Sequence, residues 1–121
     1  MTKNQNSKQY DLEERTLKFA KRCREFVKKL NKSLSNIEDG KQLIKASGSV
    51  GANYIEANEA LSKKDFVMRI KICRKEAKES RYWRRLVDTG VNRELEQERA
   101  ALEKEAGELT HIFGSIVTKS V

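Results

Sequence analysis

Apolar residues recur at steps of three and four along almost the whole sequence, which is the spacing that places side chains on one face of an α-helix. The 121 residues include no proline and only six glycines. β-Sandwiches and barrels need a turn signal roughly every 8–12 residues, so this composition argues against them. The sequence therefore predicts an all-α protein.

Four amphipathic segments follow one another, and the loops between them are short. Ser62 and Asn92 are suitable N-caps, and Gly90 is a suitable helix stop. Short loops between long helices force neighbouring helices to run antiparallel. The prediction is a single domain, an up-down four-helix bundle over residues 11–121, with a flexible N-terminal tail at residues 1–10 and helices at about residues 11–31, 38–61, 63–89 and 93–118.

Several classes of protein are excluded by the same composition. The longest apolar run is three residues, as in Phe66-Val67-Met68, which is too short for a membrane span or the core of a signal peptide. Two distant cysteines make no disulfide framework, and a single histidine argues against a metal site. We expect a cytoplasmic protein without cofactor, metal, membrane partner or small-molecule substrate.

The net charge is +8, from 26 Lys and Arg against 18 Asp and Glu. Residues 1–35 and residues 62–89 each carry ten basic against four acidic residues, and the other two parts of the chain are weakly acidic. A basic surface of this kind suits a polyanion or an acidic protein partner. The composition alone does not choose between them.

The third helical segment carries the basic residues on one arc. Tyr82 lies within that arc, where its ring is placed to stack on a base or a ribose. The functional interpretation is a nucleic-acid-binding surface, and the alternative is a solvated face whose charges meet acidic residues of neighbouring subunits. The predicted nucleic-acid-binding residues are Lys64, Lys71, Arg74, Lys75, Lys78, Arg81 and Arg85.

The same segment has two apolar stripes, whereas one stripe for each helix is enough to close a four-helix core. The first contains Phe66, Ile70, Cys73 and Ala77. The second lies more than about 90° around the helix and predicts an oligomer interface, because exposed apolar area of this kind marks contact surfaces. The alternative is an irregular bundle in which this helix is the most buried member. The predicted interface residues are Met68, Ile72, Trp83 and Leu86.

Small residues crowd the middle of the second segment. Gly48 and Gly51 cost such a helix about 2 kcal/mol relative to alanine, which close approach of another helix would offset. The Gly-x-x-Gly spacing also occurs in nucleic-acid-clamping loops, but no strand pattern flanks it here. We interpret Asn53 and Glu56 as a buried polar network that fixes helix register, in which an arginine such as Arg84 or Arg99 bridges Glu56, against the alternative of a solvated pair.

No residue pattern predicts catalysis. His111 lies between apolar positions without a second ligand or an identifiable acid–base partner, and no second acid is well placed beside Glu56. Cys23 and Cys73 fall on inner stripes, where free cysteine behaves as a small hydrophobic residue. We expect no enzymatic activity.

The run at residues 42–57, QLIKASGSVGANYIEA, resembles the signature of a bacterial four-helix bundle family first named for proteins encoded in intervening sequences of 23S ribosomal RNA genes. Residues 62–66, SKKDF, and residues 75–83, KEAKESRYW, resemble the third-helix pattern of that family. The resemblance covers roughly residues 10–119. Gly51-Ala52 departs from family versions with bulkier residues there.

The resemblance implies a homopentamer, a ring with a central channel. It also implies a relationship to the basic pentameric accessory proteins of diversity-generating retroelements, which contact RNA and a reverse transcriptase. By position it makes Ser47, Ser49, Asn53 and Glu56 packing and polar-network residues. No enzymatic activity follows from it.

The leading hypothesis is a non-enzymatic homo-oligomer whose basic surface, on the third and first helices, binds structured RNA, with ribosomal RNA as the target class. The second is a protein-interaction scaffold that docks an acidic partner. A third, a ribonuclease, requires that His111→Ala abolishes cleavage, and we expect no cleavage.

Overall fold

The computed structural model describes the backbone of residues 2–121 and the side chains of residues 12–121. Every element in it is helical: α1 (Thr2–Lys28), α2 (Leu34–Asn58), α3 (Lys63–Leu86) and α4 (Arg93–Ser120). Each helix packs against the next, and α4 packs back against α1. The prediction of a single all-α domain of four helices is confirmed.

The apolar stripes meet in one continuous core. Phe19 and Phe26 of α1 lie at 1% exposure, and Phe113 of α4 is fully buried, with its ring 6.0 Å from that of Tyr54. The core thus follows from the three-four spacing of the sequence. Other members include Leu43, Val50, Ile70, Cys73, Ala77, Leu102 and Leu109.

Several helix ends differ from the predicted ones. α1 begins at Thr2 and so includes residues 2–10, where the sequence predicts a flexible tail; that flexibility stays a prediction, and the side chains there lie outside the described residues. α2 begins earlier than predicted because Ser33 caps it, accepting a hydrogen bond from the backbone N–H of Asn36 at 3.1 Å.

The predicted caps at Ser62 and Asn92 are confirmed. Their side chains accept hydrogen bonds from the backbone N–H groups of Asp65 and Leu95, at 3.1 and 3.0 Å. Gly90 does not stop α3, which has already ended at Leu86; it lies in the following loop with φ 65.

The early end of α3 is set by contacts from other helices. The Asn36 side chain, buried in α2, donates to the carbonyl of Asp88 and accepts from its backbone N–H, both at 2.8 Å. Arg99 of α4 donates to the carbonyl of Val87 at 2.7 Å. These bonds replace the helical ones beyond Leu86 and fix the end of α3 against its neighbours.

The small residues of α2 face α1, which explains the glycines in mid-helix. A Cβ at Gly51 would lie 2.9 Å from Oγ1 of Thr16, and a Cβ at Gly40 would lie 2.9 Å from a methyl group of Val27. Thr16 is only 1% exposed, so it has little room to move. The expected close approach of another helix is found at Gly51, whereas a Cβ at Gly48 would meet only the flexible guanidinium of Arg24, at 3.3 Å.

Ion pairs join α1 to α4. Arg15 contacts Glu105 at 2.8 Å and Glu108 at 2.6 Å, and Arg22 contacts Glu98 at 3.4 Å. The hydrogen bond to Glu105 is the main cause that raises the pKa of Arg15. Arg15 and Arg22 are therefore engaged in holding α1 against α4.

The glycine contact gives a stability prediction. Gly51→Ala should lower the free energy of unfolding by about 1–3 kcal/mol, because overpacking outweighs the better helix propensity of alanine. Gly107→Ala is the matched control, since a Cβ there meets nothing within 4 Å; it should stabilise by up to about 1 kcal/mol. Urea unfolding measures both, and a Gly51→Ala protein as stable as Gly107→Ala contradicts the packing account.

The buried thiols give a pH prediction. Burial is the main cause that raises the pKa of Cys23 and of Cys73 to about 12, from an ordinary value of 9.0. As the pH rises, the unfolded chain loses the thiol protons before the folded chain does. The contribution of the protonated thiols to the free energy of unfolding is therefore fully present below about pH 9 and is lost as the pH rises toward 12. Between about pH 8 and pH 10.5 the free energy of unfolding should fall in both proteins. The fall should be about 1–2 kcal/mol smaller for Cys73→Ala than for the wild type. Equal falls would contradict this assignment.

Candidate nucleic-acid interface

One row of side chains runs along the outer face of α3. Lys71, Lys75, Lys78 and Tyr82 follow one another at steps of three and four residues, which separates neighbouring Cβ atoms by about 5–6 Å. Together with Arg74 they line a groove of about 1200 Å³ between α3 and α4. The groove thus borders the predicted basic arc.

The wall contributed by α4 is made of small and polar residues. A Cβ at Gly107 would meet nothing within 4 Å, so the groove is open at this point. A Cβ at Gly114 would lie 3.4 Å from Nε of Arg74, so the glycine leaves space for that guanidinium. The remaining α4 residues along the groove are Thr110, His111, Ser115, Val117 and Thr118.

The groove is strongly cationic. Lys71, Arg74, Lys75 and Lys78 are all exposed, and no ion pair within residues 12–121 involves any of them. Glu79 is the one carboxylate among the groove-lining residues. The surplus of positive charge makes the groove attractive to a polyanion.

The other three predicted cations lie elsewhere. Arg81 pairs with Glu103 of α4 at 2.6 Å, and this hydrogen bond raises the pKa of Arg81 and lowers that of Glu103. Lys64 lies near the start of α3, in a second hollow beside Met68. Arg85 is exposed near the end of α3 and does not line the groove. The structure therefore brings four of the seven predicted residues together.

Arg84 is a structural cation whose partner is Glu103 and not the expected Glu56. It is 8% exposed, pairs with Glu103 at 2.8 Å and donates to the carbonyl of Arg99 at 3.1 Å. Burial is the main cause that lowers its pKa. Arg99 pairs instead with Glu96, at 2.5 Å. The expected bridge from Arg84 or Arg99 to Glu56 is wrong, because both arginines bind α4 carboxylates and Glu56 is exposed.

The other members of the predicted polar network, Ser47, Ser49 and Asn53, do form hydrogen bonds. The Asn53 side chain donates to Oγ of Ser49 at 2.9 Å and accepts from Arg69 of α3 at 3.1 Å. Ser47 is fully buried and donates to the carbonyl of Ile44 at 3.3 Å. Asn53 and Arg69 thus fix the register of α2 against α3, and no pattern in the sequence identified Arg69 as the partner.

The second apolar stripe of α3 remains open to solvent in the single chain. Met68 and Leu86 are each 47% exposed. Ile72 and Trp83 are partly buried, and Trp83 packs against the core. The interface role of these four residues stays a prediction.

Trp83 also supports its neighbour. The rings of Tyr82 and Trp83 lie 5.1 Å apart, edge to face, with 74° between their planes. Since Trp83 is anchored on the core, it orients the Tyr82 ring, which is 57% exposed. The groove therefore combines exposed cations with an oriented aromatic ring.

Within residues 12–121, no three His, Cys, Asp or Glu side chains lie close enough together to hold a metal ion. His111 is exposed on the α4 wall of the groove. Among the described helices, none combines the length and the apolar character that crossing a membrane requires.

Comparison with known proteins assigns the fold to a family. Residues 8–114 match the family described as 23S rRNA-intervening sequence protein. A similar solved structure is a protein with unknown function from the S23 ribosomal protein family of Bacteroides thetaiotaomicron, at 29% identity. The alignment covers 87% of this chain and 96% of that chain, with a TM-score of 0.75. A search of curated proteins finds no match. The chain belongs to the 23S rRNA-intervening sequence protein family.

Proposed function

We propose that this protein is a non-enzymatic, homo-oligomeric RNA-binding protein of the cytoplasm, and that its targets are structured RNAs of the ribosomal class. The observation that carries the proposal is the groove between α3 and α4, where four exposed cations lie outside any ion pair within residues 12–121. The family description, which refers to 23S ribosomal RNA, supports RNA as the polyanion.

Phosphate contacts supply the affinity in this proposal. Each Lys or Arg that neutralises a phosphate releases condensed counterions, so binding weakens steeply as salt is added. The row on α3 has the right residues for this role, because lysine side chains are mobile and keep their charge exposed. By contrast, the α1 arginines Arg15 and Arg22 are engaged by α4 carboxylates, so α3 contributes more than α1.

Charge removal in the groove tests the proposal. The variant Lys71→Gln/Lys75→Gln/Lys78→Gln should weaken binding to a ribosomal RNA fragment by at least roughly tenfold in about 0.1 M salt. The slope of log affinity against log salt concentration should become shallower by the equivalent of about two to three phosphate contacts. Filter binding at several salt concentrations measures both quantities.

The control removes the same number of charges outside the groove. Lys28→Gln/Lys41→Gln/Lys104→Gln changes two exposed lysines that pair within their own helices, with Glu25 and Glu38, and one on the surface of α4. It should bind RNA with nearly wild-type affinity and salt slope. Equal losses in both variants would indicate nonspecific charge attraction and would overturn the assignment of the groove.

The homo-oligomeric part of the proposal rests on the open apolar stripe of α3. Met68 and Leu86 are half-exposed in the single chain, and burial of such a patch against sister chains is the common reason for its existence. The proposed assembly is a pentameric ring, as the family resemblance implies. In a ring the groove repeats on every subunit, so modest contacts gain from multivalency.

The assembly has its own test. Wild-type protein should sediment at a multiple of its 14.0 kDa chain mass, five times that mass for the pentamer, and Met68→Glu/Leu86→Glu should reduce it toward a single chain because each carboxylate would be buried unpaired.

Leu34→Glu/Leu61→Glu is the control for this measurement, since these side chains are 80% and 100% exposed and lie outside the stripe. It should leave the mass unchanged. A wild-type protein that sediments as a single chain would contradict the proposal.

A protein scaffold is the second candidate. The half-exposed Met68 lies in a hollow that Lys64 and Lys71 also line, an arrangement that also suits an acidic partner with an apolar anchor. Pull-down before and after nuclease treatment separates the candidates, because a scaffold keeps its partner once RNA has been digested, whereas an RNA-mediated association is lost.

A further inference from the structure

The groove has an aromatic ring at the end of its cationic row. Tyr82 continues the spacing of Lys71, Lys75 and Lys78, and its ring is held in place by the edge of Trp83. Proteins that bind single-stranded nucleic acid place phosphates on cations and stack bases on exposed aromatic rings. The row on α3 presents both groups on one line.

The α4 side of the groove suits nucleotide bases. Gly107 and Tyr82 both line the groove, and a Cβ at Gly107 would meet nothing within 4 Å. Thr110, His111 and Ser115 present hydroxyl and imidazole groups along the same wall, and such groups can hydrogen-bond to base edges. The volume of about 1200 Å³ exceeds the usual range for a small-molecule pocket, about 300–1,000 Å³. A segment of a polymer fits this space better than a metabolite does.

A duplex cannot use these features. In A-form RNA the bases face inward and the major groove is too deep and narrow for side chains to enter, so proteins read duplexes mainly through phosphates and 2′-hydroxyls. Unpaired bases in loops and bulges are free to turn outward and stack on aromatic side chains. A base can therefore stack on Tyr82 or enter the space at Gly107 only where the RNA is unpaired.

We propose that the α3–α4 groove takes an unpaired segment of RNA, with phosphates along Lys71, Arg74, Lys75 and Lys78 and one base stacked on Tyr82. This proposal rests on the RNA-binding function proposed above and specifies which part of a structured RNA occupies the site. A loop or bulge is the recognised element, and flanking helices of the RNA contact only the rim.

Two variants test the proposal without removing any charge from the groove. Tyr82→Leu removes the ring, and Tyr82→Phe is its matched control that retains the ring. Gly107→Leu fills open space on the α4 wall of the groove, and Gly107→Ala is the matched control that adds one methyl group. Since Tyr82 is exposed and a Cβ at residue 107 meets nothing within 4 Å, these variants should fold as the wild type does, which circular dichroism checks.

The probes are a labelled single-stranded RNA of roughly 12 nucleotides, within the usual range of single-strand site sizes, and a duplex of the same length. Fluorescence anisotropy gives the dissociation constants. The protein contains one tryptophan, and Trp83 lines the groove, so quenching of its fluorescence reports occupancy of the site once sedimentation shows that RNA leaves the assembly unchanged.

The expected results are specific. Wild-type protein should bind the single strand more tightly than the duplex, and the bound single strand should quench the fluorescence of Trp83. Tyr82→Leu and Gly107→Leu should each weaken single-strand binding by roughly tenfold, whereas Tyr82→Phe and Gly107→Ala should stay within about twofold of the wild type. Duplex binding should change little in all four variants.

Two failures are distinguishable. If the lysine triple variant loses RNA but Tyr82→Leu and Gly107→Leu bind the single strand as the wild type does, or if the duplex binds as tightly as the single strand, the groove is not entered and only this inference falls. If neither RNA binds the wild-type protein, the proposed function falls as well.

Discussion

The pairing of arginines with the glutamates of α4 is the interaction on which the rest of the structure depends. Arg15 and Arg22 reach α4 from α1, and Arg81 and Arg84 reach it from α3. Arginine is suited to this task because its planar fork binds a carboxylate through two hydrogen bonds and stays charged when buried. These pairs hold α4 between α1 and α3. They also give the glutamates of α4 partners that apolar packing alone would not supply.

The same pairing decides which cations are left for function. Most acidic side chains of α4 are engaged by arginines, so the lysines on the outer face of α3 keep their charge exposed. Lysine is less suited to buried pairs, and its flexible side chain binds phosphate as a point charge. The bundle thus separates structural cations from those available to a partner, and four of the available ones line the groove between α3 and α4.

Periodicity in the sequence was sufficient for the helices, the core and the caps at Ser62 and Asn92, because those features depend on residues close in sequence. It placed seven cations on one arc of α3, but it could not show that Glu103 engages Arg81, a contact between residues on different helices. The exposed position of Glu56 and the end of α3 at Leu86 were missed for the same reason. Asn36, which determines that end, looks like an ordinary loop residue in the sequence.

Photocrosslinking tests the central claim most directly, because it reports where the RNA lies on the native protein. A single-stranded RNA containing 5-bromouridine is irradiated with the full-length protein, and the crosslinked peptides are identified by mass spectrometry. The account predicts crosslinks at Tyr82 and on the part of α4 around His111 that lines the same groove. Crosslinks confined to α1 or α2, with Tyr82 unmodified, would contradict it.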